Sequence, residues 1–136
     1  MQARPLRTVM VSYDATTDTV RVSVRPAYLD GKSDAMERRF VFAYFVRIEN
    51  HGEDEVQLLR RHWTITDADG HVQQVEGEGV IGQQPIIAPG ADHEYHSFCV
   101  LRTFEGSMEG TYLMQRETGS RFKAQIPRFF LRALTN

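Results

Sequence analysis

Residues 40–50 read Phe40-Val41-Phe42-Ala43-Tyr44-Phe45-Val46-Arg47-Ile48-Glu49-Asn50, and their alternation decides the fold class. One parity carries Phe40, Phe42, Tyr44, Val46 and Ile48; the other carries Val41, Ala43, Phe45, Arg47 and Glu49. Side chains of an extended chain point to opposite faces in turn, so this is a strand that starts buried on both faces and then emerges toward solvent on one. The same period recurs upstream, where Val20, Val22 and Val24 oppose Thr19, Arg21, Ser23 and Arg25. It recurs again over residues 56–66, where Trp63 and Ile65 share a parity. Further strand signals lie at 94–101, 111–116 and 121–126. Asn50-His51-Gly52 marks a turn, and Asp69-Gly70 marks a tight hairpin between the Trp63 strand and residues 71–75. Helical pieces are expected only as a turn over 33–38 and a terminal segment over 128–134. Seven or eight short strands, with no helix long enough for a parallel crossover, predict an all-β, antiparallel β-sandwich.

The chain of 136 residues has room for one such domain, placed over residues 10–136 with 1–9 as a lead-in. At 41% hydrophobic and 25% charged it has the composition of a self-sufficient globular core. A single cysteine, Cys99, makes no disulfide within the chain. The formal charge of −2 provides no field to draw in nucleic acid or an anionic membrane. Arg4, Arg7, Arg128 and Arg132 near the ends read as solvated charges. No apolar run approaches a bilayer span and the start lacks the apolar core of a signal peptide, so no membrane insertion and a cytoplasmic address are expected.

Residues 77–82 match the G-x-G-x-x-G dinucleotide pattern through Gly77, Gly79 and Gly82. The Rossmann version leads into a helix whose N-terminus receives the pyrophosphate, and here Pro85 and Pro89 follow too soon for one. Residues 77–90 therefore read as a structural glycine loop, partly buried, with a short edge strand. Its N–H groups retain the capacity for a weak anion nest. Asp67-Ala68-Asp69-Gly70 resembles part of a calcium loop but lacks the further oxygen ligands, and a hairpin turn explains it better. Of the five histidines only His93 and His96 are close in sequence, and on a strand their i, i+3 spacing points them to opposite faces. No metal site and no cofactor are expected. Cys99, beside Phe98, Val100 and Leu101, reads as an inert core thiol, and no catalytic motif occurs. In Arg60-Arg61-His62-Trp63, alternation sets Arg61 with Trp63 on one face and Arg60 with His62 on the other. Trp63 is assigned to the core, and Gln57, Arg60 and His62 to an exposed face.

Three stretches go beyond generic sandwich patterning: residues 56–70 (VQLLRRHWTITDADG), 75–90 (VEGEGVIGQQPIIAPG) and 106–112 (GSMEGTY). In this order they resemble the bacterial ApaG family, and residues 40–44 and 126–131 fit the same pattern. The resemblance implies a fibronectin type III-like or immunoglobulin-like sandwich. It also implies an association with cobalt resistance and magnesium efflux, and it supplies no catalytic residues to carry over. Similar eukaryotic domains occur beside F-box modules, which implies protein binding. The expected function is thus a non-catalytic protein- or ligand-binding module, with Gly77, Gly79, Gly82, Arg60 and His62 as candidate binding residues. A protein partner is expected, and a homodimer through a sheet edge is a second form of the same reading. The alternative is a sensor that binds pyrophosphate, a nucleotide or a divalent metal through residues 77–82 or the histidines.

Overall fold

The computed structural model describes residues 11–133. The expected lead-in over 1–9, with Arg4 and Arg7, lies outside the described residues. Among the described residues nine strands follow one another: β1 (Tyr13–Thr17), β2 (Val20–Tyr28), β3 (Phe40–Asn50), β4 (Val56–Asp67), β5 (Val72–Glu78), β6 (Ile86–Ile87), β7 (Asp92–Leu101), β8 (Glu105–Arg116) and β9 (Arg121–Arg132). They form two antiparallel sheets. One has the order β1-β2-β3-β7; the other has the order β5-β4-β8-β9, with the two-residue β6 beside the start of β4. The expected all-β antiparallel sandwich is therefore present.

Alternation builds the core between the sheets. Val20, Val22 and Val24 of β2, and Phe42, Tyr44, Val46 and Ile48 of β3, are buried against Trp63, Tyr112, Met114, Ile126 and Phe129 of the second sheet. Each fully buried aliphatic side chain contributes roughly 1.5–3 kcal/mol. Trp63 is the hub, its ring 5.3 Å from Tyr44, 5.9 Å from Phe129 and 6.3 Å from Tyr112. Along β4 the parity changes once. Val56 and Leu58 face inward, an extra residue enters the register between Leu58 and Arg60, and from there Trp63 faces inward. A bulge of this kind inserts one unmatched residue and reverses which parity is buried.

Several expectations need correction. The segment from Arg128 is no helix: β9 runs on to Arg132, with Phe129 and Leu131 buried and Phe130 exposed, which is strand alternation. Pro127 lies where the β8–β9 register skips from Met108/Phe129 to Gly110/Ile126. Edge strands tolerate proline at such a bulge because no ladder N–H is demanded there. The helical turn near 33–38 is displaced: a short 3-10 turn covers Asp30–Lys32, and Asp34 and Arg39 close a four-residue turn by reciprocal backbone bonds of 2.8 and 2.9 Å. β5 extends to Glu78, so Gly77 and Glu78 belong to a strand. Phe45 lies on the outer face, 37% exposed, because only the start of β3 is buried on both sides.

The hairpin at Asp69-Gly70 is present in its three-residue form. Gly70 donates to the Asp67 carbonyl at 3.1 Å and takes a φ of 82°, while Asp67 Oδ1 accepts from the N–H groups of Asp69 and His71. A type I turn followed by a left-handed glycine gives this geometry. Asn50, read as a turn residue, is the last residue of β3 and is buried. Its amide donates to the carbonyls of Asp54 (2.8 Å) and Ile87 (2.9 Å) and accepts from Gly52, which fastens β6 to the body of the domain.

Candidate functional site

The glycine segment wraps the bulged edge of β4. Gly79 donates its N–H to the Leu59 carbonyl at 2.9 Å, and Leu58 donates to the Pro85 carbonyl at 3.0 Å. Val80 and Gln83 exchange both backbone bonds, leaving Ile81 (φ 48°) and Gly82 (φ 73°) as the two central residues of a tight turn. Glycine is required at 79, where φ is +61° and an added Cβ would sit 2.1 Å from the Gln83 carbonyl oxygen. Ile81 is the unusual member, since a β-branched residue with positive φ is strained. The N–H groups of Gly79 and Val80 are thus engaged by backbone, and it is the carbonyls of this segment that converge on a side chain.

That side chain is Arg61. Its Nη1 donates to the carbonyl oxygens of Glu78 and Gly79, both at 2.9 Å. The guanidinium lies over Gly77, where a Cβ would fall 2.7–2.9 Å from its atoms, so glycine at 77 is room for Arg61. Arg61 then forms one wall of a cavity of about 260 Å³ between the sheets, with Tyr44, Trp63, Glu78, Ile81, Tyr95 and Ser97 around it. Among the described residues no carboxylate lies within ion-pair range of Arg61. The Glu78 carboxylate turns outward, 4.0 Å from Arg60. Beneath the cavity the hydroxyls of Tyr95 and Tyr112 are hydrogen-bonded to each other. Burial pushes the phenols of Tyr44, Tyr95 and Tyr112 up from their usual range, and the positive charge of Arg61 works against that rise in all three. All three are neutral hydroxyls at pH 7.

Gly77, Gly79 and Gly82 therefore sit together, but around Arg61. Arg60 and His62 are on the outer face of the second sheet as expected, and each is engaged by β5. Arg60 lies near Glu78; the His62 imidazole bonds Gln74 at 2.8 Å and lies 3.6 Å from Glu76. Sequence reasoning set Arg61 on the face of Trp63 but left it out of the candidate residues. A cation sharing a parity with a core tryptophan was the available signal.

His93 and His96 do face opposite ways. His96 is outward between Phe45 (5.6 Å between ring centres) and Phe98 (5.8 Å), and His93 packs on Tyr95. Cys99 is buried and its thiol is pushed up to about 11 by burial, which leaves it a poor nucleophile. Among the described residues no group of three metal-binding side chains comes together, and no helix is long and apolar enough to cross a membrane.

A second surface was not foreseen. The outward row of β7 carries Glu94, His96, Phe98 and Val100, and the last two are 54% and 53% exposed. Two strands in from that edge, Arg25 of β2 lies 4.8 Å over the ring of exposed Phe45 of β3, without a carboxylate partner among the described residues. Phe45, Arg25 and His96 also line a shallow cavity of about 610 Å³.

Comparison with known proteins adds a lineage to this geometry. The family model described as the ApaG domain matches residues 30–116, a span that includes Trp63, Arg61 and the whole glycine segment. This chain belongs to the ApaG family. Protein ApaG of Paramagnetospirillum magneticum is 52% identical over 119 residues, covering 88% of this chain and 92% of that protein. Protein ApaG of Brucella suis is 47% identical over the same shares. Among solved structures, the ApaA protein from Bordetella pertussis superposes with a TM-score of 0.82 at 47% identity, covering 83% of this chain and 92% of that one. The C-terminal domain of wzt, at 6% identity and a TM-score of 0.54, shares the fold alone.

Proposed function

We propose that this ApaG-family protein is a non-catalytic binding module that recognises a partner protein by adding an extended segment of it to the free edge of β7. The observation that carries this reading is the contrast among the four sheet edges. β1 has only five residues and lies against β9. β9 carries Pro127 at its register skip, and β5 is polar, with Gln73, Gln74, Glu76 and Glu78. β7 runs for ten residues in unbroken register with β3, has no proline, and shows Phe98 and Val100 to solvent. Folded proteins blunt their sheet edges, so a long, regular edge with apolar side chains exposed toward one end marks a place where another strand is accommodated. The non-catalytic part is supported by the thiol of Cys99, which faces inward while His96 faces outward, and by His93 lying about 20 Å away along the strand. The cobalt and magnesium phenotypes associated with the family would then reach this protein through its partner.

The test is a selection of random twelve-residue peptides displayed on phage against the purified protein, followed by affinity measurement on Phe98→Asp and Val100→Asp variants. Enriched peptides that lose binding to both variants, at an unchanged melting temperature, support the reading. Absence of any enriched sequence, or peptides indifferent to both substitutions, contradicts it. Concentration-dependent association of the protein with itself through this edge would replace the partner by a second copy.

A further inference from the structure

Tyr95 and Ser97 of β7 line the cavity that holds Arg61, whereas Phe98 and Val100 of the same strand face outward. A strand added to β7 lies about 4.8 Å beyond it, with side chains that alternate in the same way. Its outward residues extend the row of Phe98 and Val100. Its inward residues extend the row of Tyr95 and Ser97, across the mouth of the cavity between the sheets. Whatever the added strand places there meets Arg61.

Arg61 is arranged to receive an acid. Nη1 is committed to the carbonyls of Glu78 and Gly79, which orients the guanidinium plane and leaves the Nε and Nη2 donors. Those two form a side-on pair that matches the oxygens of one carboxylate. The neighbouring phenols are neutral hydroxyls held above their usual titration range, so none competes as an anion. A half-buried guanidinium with no ion-pair carboxylate among the described residues, in a mouth walled by Trp63 and tyrosines, is costly to leave unpaired, and an incoming carboxylate compensates that charge away from bulk water.

We propose that the mouth reads one aspartate or glutamate at an inward-facing position of the partner segment on β7, with Arg61 as the specificity-determining residue. The proposal rests on the strand-addition reading and adds to it the chemistry of one side chain of the partner.

The test uses peptides obtained by the selection above, each synthesised with its acidic residues replaced in turn by the matching amide. Dissociation constants are measured by fluorescence anisotropy on the wild-type protein and on Arg61→Gln. On the wild type, one acid-to-amide change is expected to weaken binding about tenfold or more, a factor each 1.4 kcal/mol supplies. On Arg61→Gln the same change is expected to alter affinity less than about twofold, because the partner charge is gone. Arg61→Lys keeps a charge without the fork and is expected to fall between. Because Arg61 also holds the glycine segment, melting temperatures accompany each variant, and the acid-against-amide comparison on the wild type decides even if both variants unfold. Equal affinity of acid and amide peptides for the wild type overturns the proposal and leaves strand addition standing; failure of every peptide to bind takes down both. Saturable binding of pyrophosphate alone, lost in Arg61→Lys while peptides are unaffected, overturns it in favour of a small free anion.

Discussion

Along one flank of the sandwich β1 and β2 lean on β9, and the seam between them is closed by aromatic packing, a hydrogen bond and an ion pair. Tyr13 packs on Phe129 and Phe130, Thr17 Oγ1 accepts from the Gln125 N–H at 2.9 Å, and Arg116 bridges to Asp18 at 2.6 Å while stacking 4.1 Å over Phe122. Along the other flank β7 stands apart from β5, and the gap holds Arg61 without a carboxylate, a strained Ile81 and a regular strand edge with apolar side chains in solvent. Both flanks are built from the same alternating strands. The difference teaches that stability in this domain is concentrated on the closed flank, and that the open flank retains chemistry its own fold does not use.

The largest test of that contrast is a pair of aromatic truncations. Phe129→Ala, which removes a fully buried ring packed on Trp63, Tyr44 and Tyr13, is expected to cost about 3–5 kcal/mol in denaturant unfolding. Phe98→Ser on the open edge is expected to change stability by less than about 0.5 kcal/mol. Similar losses would break the comparison.

Alkaline titration sharpens it next. Cys99 in the folded state titrates near 11 against an ordinary value of 9.0, so between those two values the native protein holds a proton that the unfolded chain has released. Stability is therefore expected to be fully present below pH 9 and to fall as pH rises from about 9 to about 11, by about 2–3 kcal/mol for this thiol alone. Tyr44, Tyr95 and Tyr112 act in the same direction. Cys99→Ala should reduce the slope over that window, as read by urea midpoints at a series of pH values; an unchanged slope would show that the thiol is solvated.

Ile81→Asn is expected to stabilise the protein by about 1 kcal/mol, because asparagine tolerates the left-handed region and Ile81 is 63% exposed. A loss of stability would mean that the turn after β5 is not a seat of strain. The remaining test lies on the closed flank. Arg116→Met, which removes a partly exposed ion pair and a cation over Phe122, is expected to cost about 0.5–1 kcal/mol by thermal unfolding, and more than about 2 kcal/mol would show that the seam relies on charge.

The sandwich was legible because two-residue alternation survives in β2, β3 and β7, and because Trp63 shares a parity with its core neighbours. Alternation alone could not reveal the extra residue between Leu58 and Arg60, which only the register with β8 discloses. The end of β9 was missed because residues 128–134 were read as a helical segment, although Phe129, Phe130 and Leu131 alternate there. Of the candidate binding residues, Arg60 and His62 lie on the outer face that alternation assigned them, and the three glycines lie in one segment. What they surround was not legible, since the meeting of Arg61 with the carbonyls of Glu78 and Gly79 depends on how β5 pairs with β4. The exposed edge of β7 was equally hidden, because a sequence does not state which strand ends a sheet.

Amide hydrogen exchange along β7 and β1, with and without a selected peptide, tests the central claim most directly. Strand addition is expected to slow exchange at alternate residues of β7, those whose N–H groups point away from β3, while β1 is unchanged. Protection that appears on β1 or β5, or on no strand while the peptide is bound, would contradict the account.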